Sequence, residues 1–179
     1  TLALASDYWW NNRNLKTYLF NPSDPNVESI VISDRNYQDR YNDPGNFVKE
    51  RNEYGENILA LRGNKIYLIG DGYTAKGQFP FIDELNMRTL KKNRIYKSNI
   101  QNKKESIRDF SPESKQLFVR IESPSEYPNY YFRELNGELD KMTFFSNPFK
   151  SLENVHKEVI KYNRQDGLEL SATLYLPEG

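Results

Sequence analysis

Two pairs of short strand-like segments recur in this chain in the same order, and that recurrence constrains the fold more than any other feature. LALAS at 2–6 aligns with IYLIG at 66–70, and TYLFNP at 17–22 aligns with FIDELN at 81–86, both at one shift. The later pair recurs again: IYLIG, a loop ending in Pro80 and FIDELN correspond to LFVRI at 117–121, a loop ending in Pro128 and YFRELN at 131–136. Four strands per unit and a period of roughly 50 to 60 residues are the signature of a β-propeller blade. A β-sandwich would offer similar strands without the repeating pair, and ranks second.

The rest of the chain agrees with an all-β reading. Helical periodicity is nearly absent, and the chain carries 13 Tyr and 10 Phe, residues that favour strands. Strands are expected near 2–6, 17–20, 29–33, 57–61, 65–69, 79–85, 92–96, 106–110, 116–122, 130–135 and 139–145, with at most a short helical turn within 148–155. About three four-stranded antiparallel blades fit, whereas propellers close with four to eight. The last 22 residues read differently. Asp166-Gly167 is a hairpin turn signal, and Leu168, Leu170, Ala172, Leu174 and Leu176 form an apolar stripe at period 2. That stripe needs something to pack against, so the expected division is a partial propeller over 1–156 and the start of a second domain over 157–179. Open blade faces and an unpaired edge also predict self-association of the chain on its own.

Charge excludes some partners. The chain has 25 basic and 25 acidic side chains, so neither nucleic acid nor an anionic membrane has an electrostatic foothold. There are no cysteines, which removes disulfide and thiolate chemistry and leaves the compartment open. No apolar run approaches the roughly 18 residues of a membrane span.

Few motifs carry chemistry. Gly70-Asp71-Gly72-Tyr73-Thr74-Ala75 fits the dinucleotide fingerprint, but Lys76-Gly77-Gln78-Phe79-Pro80 cannot open the helix that the fingerprint requires, so it reads as a loop between strands. Asp39, Asp43 and Glu50 have calcium-loop spacing, but Pro44 replaces the required glycine and Tyr41 stands at a ligand position. No metal and no cofactor is therefore expected. His156 is the only histidine and has no nucleophile motif to serve, so it is expected at the surface. Asp83 and Glu84 are adjacent on a strand and point to opposite faces. Tyr8-Trp9-Trp10 is expected to pack within or between blades.

The stretch DRNYQDRYNDPGNFVKERNEYG, 34–55, has no clear strand pattern of its own and reads as an insertion. Tyr37, Tyr41, Phe47 and Tyr54 would anchor it, and its charges point either to a structural ion-pair loop or to a surface that meets substrate or a partner domain.

This stretch also resembles part of the propeller in the prolyl oligopeptidase family of serine peptidases (family S9), in the bacterial branch similar to glutamyl endopeptidases. IYLIGDGYTAKGQFPFIDELN and ESPSEYPNYYFREL resemble the blade strands that follow, and EVIKYNRQDGLELSATLYLPEG resembles the junction into the α/β-hydrolase domain. The resemblance implies a peptide substrate, a propeller that restricts access to the active site, and a partner in the protein's own hydrolase domain. It places the Ser-Asp-His triad and oxyanion hole beyond Gly179, so no catalytic residue is assigned here. A bacterial cytoplasm or periplasm fits this branch. Arginines on loops facing the cavity between the domains can hold a carboxylate by bidentate pairing. Within the marked loop, Arg35, Asp39, Arg40, Asp43 and Arg51 are the substrate-facing candidates.

Overall fold

A computed structural model describes residues 2–135, 137–152 and 155–176. Its first sheet is a three-stranded meander of β1 (Ala3–Trp9), β2 (Asn14–Phe20) and β3 (Ile30–Asn36). The second sheet begins with β4 (Asn46–Phe47), detours through the hairpin β5 (Lys49–Arg51) and β6 (Asn57–Leu59), and continues with β7 (Lys65–Gly70). After the small ribbon β8 (Tyr73–Thr74) and β9 (Gly77–Gln78), it is completed by β10 (Phe81–Asn86) and β11 (Lys92–Lys97), in spatial order β4-β7-β10-β11. The third sheet is β12 (Lys104–Ser111), β13 (Gln116–Glu122), β14 (Asn129–Glu134) and β15 (Leu139–Lys141), again in chain order. A 3₁₀ turn over Lys150–Leu152 precedes the two-stranded hairpin β16 (His156–Asn163) and β17 (Glu169–Leu176). Every pairing is antiparallel.

The repeat seen in the sequence is the repeat of the sheets. The segments aligned with IYLIG are β1, β7 and β13, and those aligned with FIDELN are β2, β10 and β14. In the second and third sheets these are the second and third strands of a four-stranded meander, so the chain is all-β and blade-like. The first sheet shows three strands among the described residues, beginning at the second-strand position.

IYLIG does not alternate because the second sheet is covered on both faces. Tyr67 and Ile82 pack with Phe110, Leu117, Val119 and Ile121 of the third sheet. On the opposite face, Ile66, Leu68 and Leu85 meet Leu4 and Ile32 of the first. Ile66, Ile82, Leu117 and Val119 are among the most deeply buried side chains, each worth about 1.5–3 kcal/mol relative to exposure.

Three expectations are corrected. The stretch 34–55 is not a patternless insertion: it contains the end of β3 and all of β4 and β5, and β4 supplies the first strand of the second sheet. Polar residues dominate it because β4 has only two paired residues and β5–β6 is an exposed hairpin. Of its four aromatics, Tyr37 and Phe47 are half-buried, while Tyr41 and Tyr54 are exposed and anchor nothing. Tyr8-Trp9-Trp10 is not buried within or between the described sheets: these residues are 67%, 58% and 74% exposed at the β1–β2 turn, with Tyr8 5.8 Å from the Tyr37 ring. The 3₁₀ turn falls within the expected 148–155, although Glu153 and Asn154 lie outside the described residues, as do Pro177, Glu178 and Gly179.

The terminal hairpin forms as expected. Gly167 has φ of 86°, a left-handed value that glycine adopts without strain, and Asp166 accepts hydrogen bonds from Arg164 and from the Leu168 amide. Leu170, Ala172 and Leu174 are half-buried, while Leu168 and Leu176 are exposed.

Candidate functional site

Meander topology gathers one set of connections at one end of the sheets. In an up-and-down sheet, the link between the second and third strands and the link to the next sheet emerge at the same edge. Here these are 10–13, 37–45, 71–80, 98–103, 123–128 and, leaving the third sheet, 142–155. Hydrogen bonds confirm the grouping. The Tyr37 amide donates to the Arg13 carbonyl at 2.8 Å and the Ser98 amide to the Pro80 carbonyl at 2.8 Å. Lys103 Nζ bridges to Glu126 at 2.6 and 2.7 Å.

The Asp-Pro-Gly turn is docked against this end. Asp43 accepts the Gly45 amide at 2.9 Å, and Gly45 has φ of 90°. A Cβ on Gly45 would lie 2.3 Å from the Ile69 carbonyl oxygen, so only glycine lets the loop backbone reach β7 this closely. Gly72 in the neighbouring loop has φ of 66°, and a Cβ there would meet the Phe79 carbonyl oxygen at 1.8 Å. That geometry makes the fingerprint-like GDGYTA a tight strand connection.

The five candidate residues separate by role. Arg35 is half-buried and tied down: it pairs with Asp43 at 3.0 Å and donates to the carbonyls of Asn36 and Asp39. Asp39 accepts the Tyr41 amide at 3.0 Å and the Asn42 side-chain amide at 2.7 Å, and the bond from Asn42 holds its carboxyl below the usual carboxylate range. Arg35, Asp39 and Asp43 therefore fix the loop. Arg40 is exposed, lies 4.8 Å above the Tyr73 ring, and has no ion pair or hydrogen bond among the described residues. Arg51 does not join them, because it lies on β5 in the connection that runs to the opposite end of the sheet. Beside it, Glu50 takes both Nη atoms of Arg62 at 3.0 and 2.9 Å, and this pairing lowers the Glu50 carboxyl pKa.

Asp39, Asp43 and Glu50 thus serve three separate bonding arrangements. Asp83 and Glu84 face opposite ways, Asp83 to Arg94 and Glu84 to Lys65. His156 is exposed at the start of β16, its Nε2 3.6 Å from Glu158.

Sequence reasoning missed part of the face. A groove of about 1280 Å³ lies between the connections 76–79, 100–104 and 122–125 and the terminal hairpin, which contributes Lys157 and Tyr175. Lys76, in the turn between β8 and β9, and Lys104, at the start of β12, also line it. Only the alternation of the meander, which places these segments at one end, could have signalled them. Exposed Trp10, with the Arg13 guanidinium 4.0 Å from its ring, stands on a connection at the same end.

No family model matches the chain. It is similar over its whole length to the probable glutamyl endopeptidase, chloroplastic, of Arabidopsis thaliana, at 30% identity over 195 residues, 20% of that protein. The probable glutamyl endopeptidase, chloroplastic, of Oryza sativa subsp. japonica gives 30% over 194 residues and 21%. The chain thus spans about a fifth of the length of the curated relatives it matches, and it is related to a segment of peptidases. Among solved structures, the AtxE2 isopeptidase in its apo form and in a form with astexin3-dC4 bound are similar at TM-scores of 0.47 and 0.46, each at 14% identity over 98% of this chain and 24% of theirs.

Proposed function

We propose that this chain is the substrate-facing part of a β-propeller in a serine peptidase of the prolyl oligopeptidase family (family S9), in its glutamyl-endopeptidase-like branch. In this reading residues 1–156 belong to the propeller, and the hairpin over 157–179 leads into an α/β-hydrolase domain that carries the Ser-Asp-His triad outside this chain. One observation carries it: the meanders bring their connections to one end of the sheets, where three of them, 76–79, 100–104 and 122–125, enclose one groove together with the terminal hairpin. A domain entered through β16–β17 would sit over that end, so a peptide reaching it passes Arg40, Lys76 and Lys104. The propeller then acts as a filter, because its rim admits extended peptides and excludes folded proteins.

The test uses the full-length gene product beside the 179-residue chain. The reading predicts that the full-length protein reacts with a serine-directed fluorophosphonate probe and cleaves short peptides. The same cleavage sequence inside a folded protein stays intact, and the chain alone does neither. Labelling of the isolated chain, or equal cleavage of folded and unstructured substrates, would contradict it.

A further inference from the structure

A second, smaller pocket of about 250 Å³ opens on the second sheet beside β10 and β11, walled by the turn from Tyr41 to Pro44 and the loop from Gly72 to Thr74. The outer strand β11 turns Lys92, Arg94 and Lys97 into it, and β10 contributes Phe81 and Asp83. Arg94 is held twice. Its Nε and Nη2 donate to Asp83 at 2.8 and 3.0 Å, and its guanidinium lies 3.7 Å over the Phe81 ring. Asp83 is buried, so this pair is fixed. Side-on pairing uses one edge of the guanidinium and leaves Nη1 without a partner among the described residues. Lys92 has no ion pair among those residues, and Lys97 has only the Phe79 ring, at 5.7 Å. The other carboxylate at the pocket, Asp43, is taken by Arg35. Three cations therefore face one carboxylate, and one of the three is an arginine with a pre-oriented free edge.

We propose that this pocket binds a small oxyanion, a carboxylate or a phosphate, with Arg94 Nη1 as the orienting donor and Lys92 and Lys97 as flanking charges. The planar guanidinium suits a two-oxygen or three-oxygen anion, and the fixed Asp83 pair spares the entropy of ordering the arginine. Arg40 does not line the pocket, although the Tyr73 ring beneath it does, and the proposal does not depend on the peptidase reading. Lysines on an outer strand also deter pairing with other chains. That role needs no fixed arginine and gives no saturable anion binding.

The experiment titrates the protein at low salt with inorganic phosphate and, separately, with an acetylated tri-glutamate peptide, followed by amide NMR shifts. Saturable shifts centred on 92–97 and 41–44 are expected. Binding of one anion alone assigns the source, and mutual competition shows one pocket serving both. Lys92→Gln with Lys97→Gln should weaken binding about fivefold or more at unchanged melting temperature. Arg94→Lys keeps the charge opposite Asp83 but removes the fork, and should weaken it further. No saturable binding of either anion, or binding unaffected by the double lysine variant, overturns the proposal.

Discussion

Tyr96 on β11 donates its hydroxyl to Glu105 on β12 at 2.6 Å, across the seam between the second and third sheets. Glu105 has a fully buried side chain, and Arg133 Nε lies 3.0 Å from its other oxygen, at an angle too oblique for a hydrogen bond. Burial, then the neighbouring carboxylate, pushes the Tyr96 phenol well above its usual range, so it stays a protonated donor. Two sheets are thus joined by a charge-assisted bond inside an apolar seam. Glu105→Ala leaves the half-buried Arg133, whose Nε is out of contact with water, without its counter-charge and should destabilise the fold by about 2–4 kcal/mol. Urea denaturation measures this, and a cost below about 1 kcal/mol would show that the seam is held by packing alone.

Gly45→Ala should unseat the Asp-Pro-Gly turn. The new Cβ meets the Ile69 carbonyl and the backbone is held at positive φ, a strain of about 1–3 kcal/mol. A lowered melting temperature is expected, with NMR shifts confined to 37–47 and the end of β7. An unchanged spectrum there would mean that the loop does not rest on β7.

Much of the fold was legible because strand repetition is a backbone property. IYLIG aligns with LFVRI, and FIDELN with YFREL, because each pair occupies the same place in a meander, the second or the third strand, between neighbours on both sides. β4 was hidden: two paired residues next to Asp-Pro-Gly leave no period to read. The aromatic content of Tyr8-Trp9-Trp10 suggested packing, yet a hairpin tip on the connection end turns them to solvent. In the marked loop, the sequence pointed to five charged residues without separating their roles. Whether an arginine is tied down or free depends on partners such as Asp43 and Tyr73, which only the fold brings near.

The Glu50–Arg62 pair gives a pH dependence of definite sign. Pairing depresses the folded-state pKa of Glu50 below its usual 4.5, so its contribution is present above that value and is lost as pH falls through the folded pKa. Both side chains are about one-third exposed, which limits the pair to about 0.5–1 kcal/mol. Glu50→Gln should lower stability by that amount at pH 7, with the gap to wild type closing as the pH drops below 4.5. A gap that persists at pH 3 would assign the effect to packing.

The hairpin β16–β17 should drive association of the isolated chain. Val159, Tyr162, Leu168, Tyr175 and Leu176 are exposed on it, and two strands alone are marginal in water. Light scattering at micromolar concentration should show oligomers that vanish when residues 164–179 are removed. A monomer with the hairpin intact and protected from proteolysis would show that the hairpin needs no further cover.

In the proposed function, the end of the sheets bearing Arg40 meets a peptide. Arg40 stacks on Tyr73 with its guanidinium donors uncommitted, so a substrate carboxylate would gain a charge-assisted contact of about 1.5–3 kcal/mol if desolvated, and less if exposed. The most direct measurement is kcat/KM of the full-length protein and its Arg40→Ala variant on paired peptides that differ only in an acidic or a neutral side chain. A loss of about tenfold is expected for the acidic peptide and little for the neutral one. Equal losses for both, or none for either, would contradict it.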